Sequence, residues 1–376
     1  CTNHSESQWA QSVHGALNTN ASFVPVGGLG AYRIYGVGAH PTDGRIVFAS
    51  GGGTGLDCRS ADVVPGCGVY RSRDGGFTWE AVTGSLTRID ARAVAVSGDT
   101  VIALSLAAGS GSEKILRSTD GGTTWTVTPG SDLIGEQIKS VAVDPLSALT
   151  VYASDFELPT RAAGDSLLVK STDGGATWQH LPENLSGSTG DLRGYDVQPH
   201  PSTPGVVYLV GTGVPAARST DGGASWASLN LPEGLAYSLA LDPAAPDSLY
   251  VGTQSGVIYK SIDAGASWTA LPNGSVGSVA VIEIDPSDGV VYAGTQGSGV
   301  IASADGGASW HDCSDGLATV EARYVNDLAM TAERRLIAAT NAGLYLMDLS
   351  PSVMPDGGLP DEVDGGPAVV GPALGC

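Results

Sequence analysis

One eight-residue pattern, S-x-D-x-G-x-[ST]-W, occurs six times in this chain of 376 residues. The copies begin at Ser72, Ser118, Ser171, Ser219, Ser261 and Ser303, which are 42 to 53 residues apart. Six of the seven tryptophans end a copy. A repeat of this period is typical of folds that use one supersecondary unit many times. The pattern therefore constrains the fold more than any other feature of the sequence.

The pattern has the chemistry of a tight turn between two strands. An aspartate side chain accepts hydrogen bonds from the backbone N–H groups that follow it, and glycines permit positive φ. The tryptophan ring supplies buried apolar area and is expected to lock the turn against its own sheet. We therefore predict a structural rather than a metal-binding role for one set of residues: Asp74, Asp120, Asp173, Asp221, Asp263, Asp305, Trp79, Trp125, Trp178, Trp226, Trp268 and Trp310.

Strand-like segments surround each copy. The fifth repeat reads AYSLALDP, SLYVGT, GVIYKS and SWTAL, which are four short strands separated by turns. A four-stranded unit of about 40–50 residues is a propeller blade. Residues 324–349 add three strands without the turn pattern. The sequence thus predicts an all-β fold: a seven-bladed β-propeller of four-stranded antiparallel blades.

The last blade lacks an outer strand in the C-terminal part of the sequence. The segment around Trp9 parallels the segment around Trp310, because in both a tryptophan precedes a glycine and then a leucine. We therefore expect the N-terminal strand, near Trp9, to complete the last blade and close the ring, which removes free sheet edges. The alternative is a six-bladed ring with a loose tail.

Composition divides the chain into three parts. Residues 1–7 form a polar N-terminal tether, residues 8–349 form the propeller, and residues 350–376 form a tail rich in glycine, proline and acidic residues. The tail has no strand periodicity and is typical of a spacer.

The five cysteines indicate the compartment. Cys58 and Cys67 lie nine positions apart in a loop-like segment, which predicts a local disulfide and an oxidising environment. Cys1 begins the chain before a polar segment, which resembles a mature bacterial lipoprotein lipidated at Cys1; an arbitrary chain boundary is the alternative. Cys313 and Cys376 are expected to form a second bridge, unless Cys376 is itself an attachment point. The expected location is extracytoplasmic, either anchored in a membrane or secreted.

The charge balance excludes some partners. With 39 acidic and 18 basic residues, the formal net charge is −21, which repels nucleic acid and anionic lipid headgroups. No apolar run reaches the roughly 18 residues needed to span a membrane. We expect membrane contact only through a lipid at Cys1. The six histidines are scattered, so the sequence predicts neither a metal site nor a cofactor.

The repeated turn pattern resembles that of the Asp-box, or BNR-repeat, family of propellers, over about residues 8–349. This family includes sialidases, xyloglucanase-type glycosidases, sortilin-like receptor domains and photosystem assembly factors. The resemblance implies the propeller fold. It does not imply one function, because the family contains both enzymes and binding proteins.

Long loops in blades 1–3 are predicted to lie on the face opposite the Asp boxes, and loops on a rigid scaffold commonly bind ligands. The ligand-binding candidates are Asp57, Arg59, Asp132, Glu136, Phe156, Arg161, Arg193 and Tyr195. The candidates for catalysis are Arg33, Asp155, Glu157 and Asp191. Arg33 lies in a Tyr-Arg-Ile-Tyr segment that is similar to a sialidase motif, and the three acids suit paired-carboxylate glycoside hydrolysis.

No catalytic set is complete in the sequence. We therefore predict a non-catalytic, monomeric ring outside the cytoplasm, which binds a protein or a glycan at the cell surface through the face carrying the long loops of blades 1–3. The alternative is a glycoside hydrolase, either sialidase-like or of another carbohydrate-active type.

Overall fold

The computed structural model describes residues 21–27, 29, 32–52, 58, 67–83, 89–107, 113–129, 138–155, 168–182, 193–212, 216–232, 235–274 and 276–350. They form seven four-stranded antiparallel sheets, and this part of the chain contains no α-helix. The predicted all-β, seven-bladed propeller is confirmed. Membrane-spanning helices were sought within the same ranges, and none is long and apolar enough.

Each blade is given from its innermost to its outermost strand. Blades 1 to 3 are β2 (Ile34–Ala39), β3 (Val47–Gly52), β4 (Cys67–Ser72), β5 (Glu80–Ala81); β6 (Ile89–Ser97), β7 (Thr100–Ala107), β8 (Glu113–Ser118), β9 (Thr126–Val127); and β10 (Ile138–Asp144), β11 (Ser147–Asp155), β12 (Leu168–Ser171), β13 (Gln179–His180). Blades 4 and 5 are β14 (Arg193–Pro199), β15 (Val207–Thr212), β16 (Ala216–Ser219), β17 (Ala227–Ser228); and β18 (Ala236–Leu241), β19 (Leu249–Thr253), β20 (Ile258–Ser261), β21 (Thr269–Ala270). Blades 6 and 7 are β22 (Val279–Ile284), β23 (Val291–Thr295), β24 (Gly299–Ser303), β25 (His311–Asp312); and β26 (Val325–Met330), β27 (Arg335–Thr340), β28 (Gly343–Asp348), β1 (Val24–Pro25).

The N-terminal strand closes the ring, as predicted, but it is not where the sequence suggested. β1 pairs with β28 through Val24 opposite Leu346 and Pro25 opposite Tyr345. The Phe23 amide donates to the Asp315 carbonyl, 2.8 Å away, which ties this strand to blade 6. The strand is therefore Val24–Pro25, and the segment around Trp9 lies outside the described residues. A proline is acceptable here because an outer strand has one unpaired edge.

Seven hydrophobic clusters fill the seven junctions between neighbouring blades. The junction between blades 7 and 1 is built like the others, with Ile337 and Leu346 packing against Ile34 and Val47. Each sheet thus buries both faces. Stability is shared around a closed ring that leaves no blade face free.

Each Asp box forms a small hydrogen-bonded unit, shown by the third copy. Asp173 Oδ1 accepts from the Thr177 amide at 2.8 Å, and Asp173 Oδ2 accepts from the Thr177 hydroxyl at 2.6 Å. The Ser171 hydroxyl donates to Asp173 at 2.7 Å and accepts from the Gly175 amide at 2.8 Å. Partial burial raises the pKa of Asp173, but these hydrogen bonds lower it by more. The net pKa is about 2, below the usual value of an aspartate.

The tryptophans do more than lock their own sheet. The Trp125 indole donates to the carbonyl of Val82 in blade 1 at 2.7 Å, and the Trp268 indole donates to Leu229 in blade 4 at 2.9 Å. Trp178, only 7% exposed, packs in the cluster between blades 2 and 3. These rings therefore also bridge neighbouring blades, while four indoles bind a glycine carbonyl of their own box, as expected for a lock on the turn.

A cation directly in front of four of the six boxes clamps the next blade. Arg71 donates to the Gly121 carbonyl, Arg117 to Gly174 at 2.7 Å, Lys170 to Gly222 at 3.0 Å and Lys260 to Gly306 at 2.9 Å. In every pair, the carbonyl belongs to the first glycine of the following Asp box. Blade 6 carries Ala302 at this position, and blade 7 has no box for a cation to reach.

The disulfide Cys58–Cys67 is present, with 5.5 Å between the Cα atoms. Cys313 is fully buried and also disulfide-bonded, and its partner lies outside the described residues. The bridge to Cys376, the lipidation of Cys1 and the boundaries of the terminal segments stay predictions.

Candidate functional site

The ring has two faces of different character. Asp boxes follow the third strand of blades 1–6, and they hydrogen-bond to the turn between the first and second strands. For example, the Gly75 amide donates to the Arg45 carbonyl and the Gly222 amide to the Gly205 carbonyl, both at 2.8 Å. We name this side the Asp-box face. The connections between second and third strands, and those between blades, emerge on the opposite side, named here the loop face.

A β-bulge interrupts the innermost strand of every blade near its loop-face end. A bulge inserts one unpaired residue and re-aims its side chain. The innermost strands contact each other around the whole ring and enclose the axial channel. The seven inserted residues, named here the bulge ring, are Tyr35, Arg92, Lys139, Tyr195, Tyr237, Ala280 and Asn326.

Cations gather on the side of the channel mouth formed by blades 1–3. The guanidinium carbons of Arg33 and Arg92 lie 4.9 Å and 4.2 Å from the centre of the Tyr35 ring. Arg92 Nη2 also pairs with Asp90 at 2.7 Å. Burial lowers the pKa of the Lys139 ammonium, and the charges of Arg92 and Arg33 lower it further. We name Arg33, Arg92 and Lys139 the cation cluster.

Aromatic and amide groups occupy the rest of the mouth. The rings of Tyr195 and Tyr237, from blades 4 and 5, lie 4.5 Å apart and are tilted by 42°. In blade 7 the Asn326 amide donates to the carbonyl of Ile34 in blade 1 at 2.7 Å, and to Asn341 Oδ1 at 3.0 Å. Residues of the bulge ring therefore contact neighbouring blades, and together they form one surface.

Three carboxyl groups lie on the inner strands beyond the bulges, and each accepts from a neighbouring blade. Asp196 accepts from the Leu239 amide and Asp327 from the Val37 amide, both at 2.9 Å, while Glu283 accepts from the Met330 amide at 3.0 Å. Burial raises the pKa of Asp196 to about 6, of Asp327 to about 7 and of Glu283 to about 8. These groups hold the inner edges of adjacent blades together.

The disulfide lies beside the cation cluster. Gly52, the last residue of β3, pairs with Cys67, the first residue of β4. A Cβ atom on Gly52 would lie 2.1 Å from Asp90 Oδ1 and 2.3 Å from the Tyr35 ring. No side chain fits there, so Tyr35 and Asp90 pack directly against this backbone. Gly52, paired with Cys67 of the disulfide, thus packs in the same region as Tyr35 and Asp90.

The structure brings two of the predicted site residues to this mouth, Arg33 and Tyr195. The backbones of Asp155 and Arg193 lie at the loop-face ends of β11 and β14. The other predicted site residues lie outside the described residues: Asp57, Arg59, Asp132, Glu136, Phe156, Glu157, Arg161 and Asp191. The sequence analysis missed Tyr35, Arg92, Lys139 and Tyr237. Their shared signal is a polar or aromatic residue near the start of each inner strand, just before the apolar alternation resumes. Among the described residues, no three His, Cys, Asp or Glu side chains are grouped to hold a metal ion.

Comparison with known proteins places the fold in a familiar group. A family profile described as photosynthesis system II assembly factor YCF48 matches residues 162–313, which is less than half of the chain. No curated protein sequence matches. The structure is similar to the GH74 enzyme of Niastella koreensis, with a TM-score of 0.65 and 20% identity over 86% of this chain and 53% of the enzyme. The chain therefore spans about half the length of that enzyme.

Two structures of YCF48 match over almost their whole length. YCF48 bound to D1 peptide has a TM-score of 0.60 and 17% identity, and the match covers 90% of this chain and 98% of the other. YCF48 from Cyanidioschyzon merolae has a TM-score of 0.59 and 17% identity, with 87% and 98% covered. At these identities the likeness concerns the fold alone.

Proposed function

Because the chain is an Asp-box (BNR-repeat) β-propeller, we propose that it is a non-catalytic, extracytoplasmic protein that binds a protein partner at the channel mouth of its loop face. One observation carries the proposal: every inner strand has a bulge near its loop-face end, and the seven inserted residues are of five different types. If the bulge served only the structure of the blade, the same residue type could stand at this position in every blade. Here it holds tyrosines, two cations, an amide and an alanine, which suits recognition of a partner.

The state of the carboxyl groups supports binding rather than hydrolysis. Glycoside hydrolases place two carboxyl groups about 5–10 Å apart across the scissile bond. In the described part of the mouth, Asp90 pairs with Arg92. Asp196, Asp327 and Glu283 each accept a backbone N–H of the next blade. Carboxyl groups held in this way stabilise the contacts between neighbouring blades or hold a nearby side chain in place.

Two further observations fit the proposal. The Cys58–Cys67 disulfide favours an oxidising compartment, because such bridges are rare in reducing ones. The structure matched by nearly the full ring, YCF48, is solved with a bound peptide, which supports a protein partner.

The second candidate is a glycoside hydrolase, favoured by the likeness to the GH74 fold. It would use the predicted acids Asp155, Glu157 and Asp191. Hydrolysis of xyloglucan oligosaccharides or fluorogenic sialosides that is lost in Asp155→Asn/Glu157→Gln would establish it and refute the binding proposal. We expect no turnover above that of the buffer.

A peptide-display selection tests the proposal directly. A random dodecapeptide library is selected on the immobilised protein, and enriched peptides are measured again on a mouth variant, Tyr195→Ala/Tyr237→Ala. The matched control is Phe77→Ala, an exposed aromatic on the Asp-box face. We expect enriched peptides to lose about tenfold or more in affinity for the mouth variant, since aromatic anchors dominate many interfaces, and to keep their affinity for the control. Equal loss in both variants, or enrichment of no peptide, would contradict the proposal.

A further inference from the structure

The junction between blades 4 and 5 departs from the pattern of the Asp-box face. In blades 3 and 5, a tyrosine hydroxyl and a lysine both donate to the first glycine carbonyl of the next box: Tyr152 and Lys170 to Gly222, and Tyr250 and Lys260 to Gly306. Tyr208 and Arg218 hold the same two strand positions in blade 4. Among the described residues, however, the Tyr208 hydroxyl and the Arg218 Nε have no hydrogen-bond partner, although both atoms are buried.

The Asp box of blade 5 contributes to this difference. Its first residue after the aspartate is Ala264, whereas the other five boxes have glycine at that position. In blade 4, a Cβ on the corresponding Gly222 would lie 2.7 Å from Lys170 Nζ and 3.7 Å from the Tyr152 hydroxyl. The methyl group of Ala264 therefore takes up space beside the carbonyl that a clamping side chain needs.

A buried histidine lies beside these two side chains. His200 Nδ1 accepts from the amides of Ser202 and Thr203 at 3.2 Å and 3.0 Å, so the ring hydrogen is on Nε2. Burial lowers the pKa of His200, which favours this neutral form. The ring centres of His200 and Tyr208 are 6.4 Å apart, and the guanidinium carbon of Arg218 is 5.8 Å from the Tyr208 ring centre. Three side chains with hydrogen-bond donors are thus grouped around Tyr208.

Burial makes these donors costly to leave without an acceptor. Tyr208 is 1% exposed and His200 is 4% exposed. Burial also raises the pKa of Tyr208, although the nearby Arg218 guanidinium opposes the rise, so the hydroxyl keeps its proton at neutral pH. The Asp247 carboxylate lies 3.9 Å from His200 Nε2, beyond hydrogen-bond distance, and is 72% exposed, so it marks the side of the group that faces solvent.

Blade 1 offers a direct contrast. His40 binds its own turn through Nδ1, as His200 does, but Phe48 stands at the position of Tyr208. Arg71 donates to the Gly121 carbonyl and pairs with Glu80, which stands opposite it in the sheet. Opposite Arg218 the sheet has Ala227, which carries no charge. The donors of blade 1 are therefore used within the ring, whereas those of blade 4 are available to a ligand.

We propose that the junction of blades 4 and 5 on the Asp-box face binds a small monocarboxylate, held by the Arg218 guanidinium, the Tyr208 hydroxyl and the His200 Nε2–H. One positive charge and two neutral donors suit a single negative charge, and Asp247 adds repulsion against a dianion. The planar guanidinium matches the two oxygens of a carboxylate. This site lies on the face opposite the channel mouth, so the proposal does not depend on the partner proposed there.

Acetate is the probe, and the imidazole signals of protein labelled with ¹⁵N-histidine report its binding at constant ionic strength. The signal of His200 is identified by its loss in His200→Asn. That variant keeps a side-chain acceptor for the turn, the role that Asp144 and Asp242 have in blades 3 and 5. We expect acetate to shift the His200 Nε2 signal until it saturates and to leave the signal of His40 in place.

Two variants with matched controls test the donors. Arg218→Gln and Tyr208→Phe should each weaken acetate binding by about tenfold, the usual worth of a hydrogen bond to a charged group. The controls, Arg117→Gln and Tyr152→Phe, change the same positions in blades 2 and 3, where the donors bind Gly174 and Gly222, and should bind acetate as the wild type does. Absence of a saturable His200 shift would overturn the proposal, as would equal affinity in all four variants.

Urea unfolding in carboxylate-free buffer shows whether a loss of binding is only a loss of fold. Tyr208→Phe should be at least as stable as the wild type, because the hydroxyl has no partner among the described residues, whereas Tyr152→Phe should be less stable. Acetate should then stabilise the wild type but not Tyr208→Phe. Equal stabilisation of both proteins by acetate would contradict the site.

Competition identifies the ligand class. Inorganic phosphate or sulfate that shifts the His200 signal at lower concentration than acetate does would refute the choice of a carboxylate. N-acetylglycine and glucuronate carry the same group as the end of a peptide and an acidic sugar. Tighter binding of either one than of acetate, lost in Arg218→Gln, would support the carboxylate site and show which of these two sources it accepts.

Discussion

The Asp-box face and the loop face are built from the same seven sheets but follow opposite rules. On the Asp-box face, the same atoms meet in each box: a serine hydroxyl, an aspartate, a following Ser or Thr and a glycine N–H. At the channel mouth, one backbone feature recurs in every blade while the side chain it presents changes. Repetition marks the part of the molecule that holds the ring together, and variation marks the part available for recognition.

Blade 7 shows how far the repetition reaches. It has no Asp box, and blade 6 correspondingly carries Ala302 where earlier blades carry the clamping cation. Arg335 of blade 7 instead approaches Gly75 of blade 1, so closely that a Cβ there would meet its guanidinium. The bulge, in contrast, persists in blade 7, with Asn326 as the inserted residue. The bulge is thus independent of the Asp box and belongs to the inner strand.

The largest expected effect comes from removing a buried ring on the Asp-box side and comparing it with the mouth. Trp178→Ala removes a side chain that is 7% exposed between blades 2 and 3, and should cost about 3–5 kcal/mol of unfolding free energy in urea. Tyr195→Ala removes a partly exposed ring that packs on Tyr237 and should cost about 0.5–1.5 kcal/mol. Equal costs would show that side chains on the two faces contribute equally to the free energy of unfolding, which would contradict the contrast between the faces.

The next effect concerns the covalent link on the loop face. The double variant Cys58→Ser/Cys67→Ser should lower the unfolding free energy by about 2–3 kcal/mol, because the bridge restricts a short loop in the unfolded chain. It should also weaken the binding of the display-selected peptides, since Gly52 pairs with Cys67 and packs against Tyr35 and Asp90. Calorimetry and anisotropy measure the two effects. If the variant is destabilised but binds as the wild type does, the binding surface at the mouth does not depend on the disulfide.

The sequence predicted what repeats. Six box patterns, the four-strand spacing and the extra strands after Tyr324 were enough for seven blades, and two nearby cysteines were enough for the disulfide. The closing strand was placed wrongly because Val24–Pro25 has neither a tryptophan nor a turn pattern; its pairing with β28 depends on contacts more than 300 residues apart in sequence. Short edge strands carry little local signal.

The mouth could not be predicted for a related reason. A bulge arises from a mismatch in register between two strands, and no residue type is common to Tyr35, Lys139 and Ala280. The sequence did select Arg33 and Tyr195, the first from a motif likeness and the second as an aromatic in a loop. It did not show that they share a surface, because that requires the closure of the ring.

The carboxyl groups of the two regions should give opposite pH dependences. Hydrogen bonds lower the pKa of Asp173 to about 2, below the unfolded value of about 3.9, so its stabilisation is present above pH 4 and is lost as the pH falls to 2. Burial raises the pKa of Asp327 to about 7, so its contribution is present below about pH 4 and is lost as the pH rises through 7. Melting temperature should therefore be highest near pH 4 and should fall as the pH rises from about 4 to 7.

Two variants test whether Asp173 causes the loss of stability at acid pH and Asp327 the loss at higher pH. Asp173→Asn should cost about 1–3 kcal/mol at neutral pH and make the acid limb shallower, because a charge-assisted acceptor is lost. Asp327→Asn keeps an acceptor for the Val37 amide and should flatten the fall in stability between about pH 4 and 7. Acid and alkaline limbs that keep their slopes in both variants would show that other groups control the pH dependence.

The smallest effect tests whether the boxes are interchangeable. Five boxes have glycine directly after the aspartate, and the fifth copy has Ala264, whose φ of 57° is unfavourable for a residue with a Cβ. Ala264→Gly should therefore stabilise the protein by about 0.5–1 kcal/mol, a gain reduced by the greater freedom of glycine in the unfolded chain.

The matched reverse change is Gly121→Ala, at a φ of 63° with no atom closer than 3.8 Å to the new Cβ, so it adds strain without a clash. It should destabilise by about the same amount, whereas an exposed position on the loop face away from the cation cluster should show neither effect. Urea unfolding of both variants measures the pair. Changes of the same sign would mean that each box is tuned to its own blade, and that the Asp-box face is less uniform than its repeated sequence indicates.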